Sequence, residues 1–333
     1  MSILTFRAVR FALAALLALA GALVAPATAA PDTAPAPTAT VQVGDSPYGI
    51  TMAPDGRHAY VVVTGTGRIA VIDTSTRTVV GGFGVSKDAG DVAITPDGRH
   101  AYVTDDTSFS VNGAVNVYST STGKRTGTIG VGEVPSRIAI TPDGRHAYVA
   151  DTWSGSVAVI DTATGTRTQE IKLGSNPVDL AISPDGRRVY VAGFANPGSL
   201  SVIDTATGEV VGRYDIDNLP TGLAVTPDGR NLYVTDRSGT VHVVDAATGK
   251  ATGSPVTVGE GPAAVVVSHD GRRAYVVNEQ SDSVSVIDTR TNAVVDTIPT
   301  GTGTGPSRIA LTPDGHHAYV TLYYSDGVQV LDF

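Results

Sequence analysis

The sequence has 333 residues, which is enough for one large all-β domain or two smaller domains. Its formal net charge is -9 at pH 7. An acidic surface repels the phosphate backbone, so nucleic acid is not expected as a partner. Cysteine is absent, which excludes disulfide bonds, thiolate metal sites and covalently attached c-type haem.

The first 29 residues have the pattern of a secretory signal peptide. Arg7 and Arg10 form a basic start, residues 11–24 are an uninterrupted apolar run, and residues 27–29 are small. The apolar run is shorter than the ~20 residues that a transmembrane helix requires. We therefore expect cleavage after Ala29, a secreted location, and no membrane span in the mature protein.

Residues 30–38 are a linker rich in proline and alanine, which cannot form a core. From residue 39 to the end, one phrase dominates: Pro-Asp-Gly-Arg-His-Ala-Tyr-Val, complete at 54–61, 96–103 and 142–149 and present in looser form in four further copies. Seven copies are spaced 42 to 46 residues apart. Their aspartates are Asp55, Asp97, Asp143, Asp185, Asp228, Asp270 and Asp314.

Each of the first six repeats contains four short apolar runs, as the third repeat shows. Its predicted strands a to d cover residues 137–140, 146–150, 157–160 and 168–173. A Pro-Asp-Gly turn separates strand a from strand b, and an Asp-Thr-Ala-Thr-Gly turn separates strand c from strand d. Four antiparallel strands in about 43 residues are typical of a propeller blade.

The two ends of the repeat region complement each other. The seventh repeat ends at Phe333, before any strand d, whereas Val41-Gln42-Val43-Gly44 matches the strand d of other repeats. Pairing of these ends would remove an open sheet edge. We predict an all-β, seven-bladed β-propeller with four-stranded blades, closed by the N-terminal strand (39–44), which completes blade 7.

Several phrases carry a family resemblance. Ala101-Tyr102-Val103-Thr104, residues 232–235, the Pro-Asp-Gly turns and the Val-Ile-Asp-Thr strand ends resemble the YVTN-type β-propeller repeat family. That family includes exported YncE-like proteins and surface-layer-type proteins, and it is similar to the propeller lactonases. The resemblance covers residues 39–333 and implies a propeller. Its motifs belong to the scaffold, so it implies no particular activity.

The turns that repeat and the loops that vary should lie on opposite faces of the disc. The a–b and c–d turns share one uniform face, while the b–c loops and the starts of strand a share the other. Sequence differences concentrate on the second face, where function is expected.

Charged residues start strand a in four repeats, which predicts a charged ring at the mouth of the central channel. The alternative is that neighbouring charges merely neutralise one another as ion pairs. The candidate ligand-binding residues are Tyr48, Asp91, Arg137, Asp179, Arg308, Asp105, Asp151, Trp153, Phe194, Asp236 and Tyr323. Trp153 and Phe194 could instead anchor their own loops.

No nucleophile–base constellation stands out, so the catalytic residues are unknown, and we expect neither a metal site nor a cofactor. His242 is expected to pack within its blade with a satisfied hydrogen bond. The favoured function is an exported, monomeric binding protein. Its ligand would be a peptide, a glycan or a small carboxylate held by Arg137 and Arg308.

Two other functions remain open. The first is a lactonase-like hydrolase on the same scaffold, with a base or metal-bound water at the channel mouth. The second is a structural surface-layer or adhesive module. The hydrolase candidates for the base or metal site are Asp91, Asp105, Asp151 and Asp179.

Overall fold

The computed structural model describes residues 36–106, 113–195, 197–216 and 218–333. Within these ranges, 28 strands form seven four-stranded antiparallel sheets arranged in a ring. The same ranges contain no helix with the length and apolar character needed to cross a membrane. The predicted signal peptide and its cleavage site lie outside the described residues.

The first four blades follow one another along the chain, each with strands a to d in spatial order. Blade 1 contains β2 (Pro47–Met52), β3 (His58–Val63), β4 (Arg68–Asp73) and β5 (Thr78–Gly84). Blade 2 contains β6 (Ala89–Ile94), β7 (His100–Asp105), β8 (Ala114–Ser119) and β9 (Arg125–Gly130). Blade 3 contains β10 (Pro135–Ile140), β11 (His146–Asp151), β12 (Ser156–Asp161) and β13 (Thr166–Lys172). Blade 4 contains β14 (Asn176–Ile182), β15 (Arg188–Phe194), β16 (Gly198–Asp204) and β17 (Val210–Ile216).

The remaining blades repeat the same order, with one short strand and one borrowed strand. Blade 5 contains β18 (Pro220–Val225), β19 (Asn231–Asp236), β20 (Thr240–Asp245) and the short β21 (Val256–Thr257). Blade 6 contains β22 (Pro262–Val267), β23 (Arg273–Asn278), β24 (Ser283–Asp288) and β25 (Ala293–Pro299). Blade 7 contains β26 (Pro306–Leu311), β27 (His317–Leu322), β28 (Gly327–Asp332) and, as its outermost strand, β1 (Ala36–Gln42).

The predicted closure of the ring is confirmed. β1 pairs antiparallel with β28, with Thr40 opposite Gln329. The strand begins three residues earlier and ends two residues earlier than the sequence predicted. The first segment of the propeller therefore completes its last blade, and no blade lacks its outer strand.

The two repeated turns hold each other in place on the uniform face. In blade 3, Asp143 Oδ1 accepts the N–H of Arg145 at 3.0 Å, and Gly144 adopts a φ of 73° that favours glycine. The hydroxyl of Thr162, from the c–d turn, donates to the carbonyl oxygen of Gly144. The equivalent bond joins Thr74 to Gly56 in blade 1. These bonds explain why both motifs repeat together.

Hydrophobic layers between neighbouring blades form the core. One layer joins Val41 and Val328 of blade 7 to Val61 of blade 1, and six similar layers complete the ring within the described residues. The tyrosine of each repeat is buried in these layers. Its hydroxyl can reach the next blade: Tyr233 donates to Asn292 Oδ1 at 2.8 Å. The repeated tyrosine therefore links blades as well as filling space.

In one c–d turn, Arg77 stands at the position where the other turns have glycine or asparagine. Its φ is 55°, a left-handed conformation that costs energy for a residue with a Cβ. Its guanidinium donates twice to the carboxylate of Asp332, at 2.9 and 3.0 Å, and once to Thr38 Oγ1, at 2.9 Å. A side chain of blade 1 thus joins the two chain ends at the closure, which offsets the strain of its backbone.

Candidate ligand site at the channel mouth

Every strand a carries a bulge, and the bulge decides which side chains face the channel. In blade 3, Pro135 pairs with Asp151 and Arg137 pairs with Ala150, so Ser136 has no partner of its own. A bulge adds one residue and changes the face that its neighbours present. The seven bulge residues all line one pocket: Tyr48, Gly90, Ser136, Val178, Thr221, Ala263 and Ser307.

The pocket occupies the channel mouth on the variable face and has a volume of about 820 Å³. Such a volume suits a small-molecule ligand. Its charged lining consists of three cations and three carboxylates, contributed by four different blades. They are Lys87, Arg237, Arg308, Asp88, Asp106 and Glu279.

Three members of the predicted charged ring bond one another beneath the pocket. The Arg137 guanidinium lies 3.0 Å from Asp179 Oδ1 and 3.4 Å from Asp91 Oδ1. Burial acts to lower the pKa of Arg137, but the charges of Asp179 and Asp91 outweigh it and the pKa is raised. None of the three lines the pocket. Asp91, Arg137 and Asp179 therefore form ion pairs with one another, which was the alternative to a ligand site.

The two carboxylates also join neighbouring blades through the backbone. Asp91 Oδ2 accepts the N–H of Ile138 at 3.2 Å, and Asp179 Oδ2 accepts the N–H of Leu223 at 2.9 Å. The inner strands pass very close together elsewhere in the ring: a Cβ on Gly49 would lie 2.7 Å from the Gly90 carbonyl oxygen. The start of strand a is thus a place of contact between blades, which accounts for its charges and glycines.

Arg308 differs from Arg137 because it lines the pocket and has no carboxylate partner among the described residues. Its Nη1 donates to the carbonyl oxygens of Ala263 and Ser307 at 2.9 and 3.0 Å, and its Nη2 donates to Tyr48 Oη at 3.0 Å. The guanidinium also lies 4.8 Å from the centre of the Tyr48 ring. Its Nε is buried without a hydrogen-bond partner. A nearly buried cation is therefore balanced only by neutral dipoles and an aromatic face.

Three predicted acidic candidates lie at the ends of strand b and point away from the mouth. Asp105, Asp151 and Asp236 are buried and do not line the central pocket. The residue that follows each of the first two, Asp106 and Thr152, does line it. Alternate residues of a strand face opposite ways, so the ligand-facing position is one residue further along.

These three buried carboxylates differ in the hydrogen bonds that they accept. Asp105 accepts the side-chain amide of Asn116 at 2.8 Å. Asp236 accepts His242 Nε2 at 2.7 Å and Thr240 Oγ1 at 2.6 Å, which confirms the hydrogen bond expected for His242. Burial acts to raise the pKa of Asp236, but these bonds outweigh it and hold the pKa well below its usual value. Neither oxygen of Asp151 has a hydrogen-bond partner among the described residues.

The predicted aromatic candidates do lie at the mouth or its edge. Tyr48, Phe194 and Tyr323 line the pocket. Tyr323 packs edge-on against Tyr48, with ring centres 6.2 Å apart, and edge-on against Tyr324 at 5.0 Å. Trp153 is 72% exposed and is not part of the lining.

Sequence reasoning missed Lys87 and Asp88, which line the pocket from the connection between blades 1 and 2. These two residues lie on a d–a connection, whereas the predicted site comprised only b–c loops and the starts of strand a. A signal was available, because an adjacent Lys-Asp pair stands directly before β6. Asp106 N–H donates to the carbonyl oxygen of Asp88 at 3.1 Å, so the two acids are neighbours at the mouth.

The fold and the pocket define a closed seven-bladed propeller with a mixed-charge, aromatic site at one mouth. The chain belongs to the family described as SMP-30/Gluconolactonase/LRE-like region, whose model matches residues 32–238. A second model, described as Lactonase, 7-bladed beta-propeller, matches residues 223–333. These matches support a propeller family, and the narrower YVTN-type assignment stays a prediction.

Among solved structures, the chain is similar to Kuenenia stuttgartiensis hydrazine synthase, with a TM-score of 0.79 and 24% sequence identity. The similarity covers 87% of this chain and 96% of that chain. At this identity the likeness concerns the fold alone. None of the curated proteins compared with the chain matches it.

Proposed function

We propose that the chain is an exported propeller that binds a small carboxylate at the channel mouth through Arg308. The observation that carries this proposal is the environment of Arg308: the residue is 9% exposed and lines the pocket without a carboxylate partner among the described residues. A guanidinium and a carboxylate form strong, charge-assisted hydrogen bonds. Tyr48 orients the guanidinium from one side, so binding requires little rearrangement.

Substitution of Arg308 tests the proposal. Titrating D-galacturonate against the protein by calorimetry should show binding, whereas neutral D-galactose should bind far more weakly. Arg308→Met should reduce galacturonate affinity at least about tenfold, because a charge-assisted hydrogen bond contributes about 1.5–3 kcal/mol. Arg237→Met, at a cation on another part of the wall, is the matched control and should change affinity much less.

Folding must be separated from binding in this test, because Arg308 is nearly buried. Arg308→Lys keeps the positive charge, and melting curves of both variants show whether the ring is intact. Equal galacturonate affinity in the wild type and in a folded Arg308→Met variant would contradict the proposal. So would equal binding of galacturonate and galactose.

The family matches favour a second candidate function, the hydrolysis of a lactone. Asp106 would act as the general base because it lines the pocket and because burial, with the charges of Asp88 and Asp105, raises its pKa. It would accept a proton from water as the water oxygen attacks the lactone carbonyl. The ring C–O bond would then break, and the departing oxygen would take the proton. Arg308 would stabilise the negative carbonyl oxygen.

This second candidate has its own measurement. Within the described ranges, no group of three or more His, Cys, Asp or Glu side chains could hold a metal ion, and Asp106 is the carboxylate base that this candidate requires. A panel of sugar and aliphatic lactones should be turned over by the wild type, and Asp106→Asn should lower kcat about 100-fold or more. Turnover that is unchanged in Asp106→Asn would exclude this base, and no turnover of any lactone would leave binding as the function.

A further inference from the structure

Two groups of aromatic side chains stand on opposite sides of the channel mouth. Tyr323 and Tyr324 belong to blade 7, and Tyr48 belongs to the adjacent blade 1. Trp153 follows strand b of blade 3, and Phe194 ends strand b of blade 4. In a ring of seven blades, blades 3 and 4 lie across the axis from blades 7 and 1. Aromatic side chains therefore stand on two sides of the axis, and we call the mouth between these two aromatic walls the slot.

The outer members of these walls are unusually exposed. Trp153 is 72% exposed and Tyr324 is 66% exposed, and no other aromatic side chain stands among the exposed large hydrophobic residues of the described chain. Trp153 follows the pocket-lining Thr152, and its backbone N–H donates at 3.2 Å to the carbonyl oxygen of Glu133, the residue before the pocket-lining Val134. Large exposed aromatic rings with polar surroundings mark binding surfaces.

The ligand must match both the walls and the cation between them. A flat apolar face of a pyranose ring stacks on an aromatic ring, and a uronic acid adds a carboxylate to the same ring. A volume of about 820 Å³ exceeds what one small carboxylate fills. One buried cation between two sets of flat rings suits such an acid better than a peptide, whose main chain would require a row of paired polar groups.

We propose that the slot binds an acidic oligosaccharide, with one uronate carboxylate at Arg308 and neighbouring sugar rings stacked on Trp153 and on Tyr324. This proposal rests on the carboxylate site described above and extends it to a ligand of several rings. It also assigns a role to Trp153, which lies outside the pocket lining.

Trp153 is the only tryptophan of the chain, so its fluorescence reports directly on the slot. Galacturonate oligomers of one to four units are titrated against the protein, with neutral galactose oligomers of the same lengths and tetraglutamate beside them. We expect the galacturonate trimer to bind at least about tenfold more tightly than the monomer and to change the Trp153 emission. Trp153→Ala, followed by calorimetry, should lose about tenfold for the trimer and little for the monomer. Val295→Ala, which removes an exposed apolar side chain from an outer strand, is the matched control and should change neither.

The possible results separate this proposal from the one on which it rests. Two results would contradict the oligosaccharide site but not the carboxylate site at Arg308. In the first, the monomer binds through Arg308 and longer galacturonate oligomers bind no more tightly. In the second, Trp153→Ala leaves the affinity for the trimer unchanged. If no galacturonate of any length binds, both are wrong. If neutral oligomers or tetraglutamate bind as tightly as the acidic trimer, the ligand class is wrong.

Discussion

A chain that begins at Gly44 should melt at least about 10 °C below a chain that begins at Ala36. The shorter chain lacks β1 and with it the outer strand of blade 7. It also lacks Val41 and Val43, which are buried between blades 7 and 1. A fully buried valine contributes about 1.5–3 kcal/mol, and 1 kcal/mol changes the Tm of a domain of 150–250 residues by about 2–4 °C.

Loss of the closing strand also exposes the edge of β28 and removes the partner that Arg77 finds in Thr38. An exposed sheet edge invites pairing with other chains, so the shorter protein should aggregate more readily on heating. Differential scanning calorimetry of both chains at one pH measures the effect. Equal melting temperatures would show that the ring does not depend on its N-terminal strand.

The wild-type protein should lose stability as the pH rises from about 4 to about 7. Asp151→Asn should not show the part of this loss that comes from the ionisation of Asp151. Asp151 is fully buried, and burial raises the pKa of its carboxyl group to about 7, although the Gly132 amide and the charge of Arg167 oppose this. Glu170 acts to raise the pKa and Lys172 to lower it, both from the same outer strand. The Gly132 amide is close but forms no hydrogen bond of standard geometry with either oxygen.

The direction of the pH effect follows from the raised pKa. Above a pH of about 4 the unfolded chain releases the proton of Asp151, whereas the folded chain retains it until about pH 7. Stability is therefore greatest at the acidic end of this range and falls until both states are ionised. The difference between the pKa of Asp151 in the folded and unfolded chains corresponds to up to about 4 kcal/mol. Urea unfolding of both proteins at several values between pH 5 and pH 8 measures the slope, which should be steeper in the wild type.

The equivalent position of another blade supplies the control with the opposite sign. Asp236 occupies the place of Asp151 in blade 5, where His242 and Thr240 stabilise its charged form. Asp236→Asn should therefore destabilise the protein at pH 7. Ala158 stands where blade 5 has His242 and blade 2 has Asn116. Ala158→Asn, which supplies a donor to Asp151, should weaken the pH dependence, and a slope equal in wild type and Asp151→Asn would contradict this account.

The repeat made the fold predictable, because its signals are local. A Pro-Asp-Gly turn selects its own backbone conformation, and alternating apolar residues select a strand wherever they occur. Seven copies at a regular spacing then leave few arrangements other than a closed ring. Even the closure followed from the sequence, since residues 41–44 match strand d and the last repeat lacks one. The two faces were predictable for the same reason.

The site was only partly predictable, because side-chain direction depends on features that the repeat does not encode. Tyr48, Phe194, Tyr323 and Arg308 lie at the mouth, as expected. Arg137 carries the same charge as Arg308 at the same position of its repeat, yet it lies between two carboxylates supplied by neighbouring blades. A single repeat cannot reveal what the next blade places opposite it.

By itself, the sequence determined the number of blades, the strands within each blade, the closing segment and the face on which the repeats differ. All of these depend on turns and apolar spacing within about 45 residues of chain. The tertiary structure alone decided which side chains face the channel, because a bulge in each strand a turns the face of the residues around it. It also decided that Arg308 remains without a carboxylate partner among the described residues, because charge pairing at the axis depends on the blades that surround each residue.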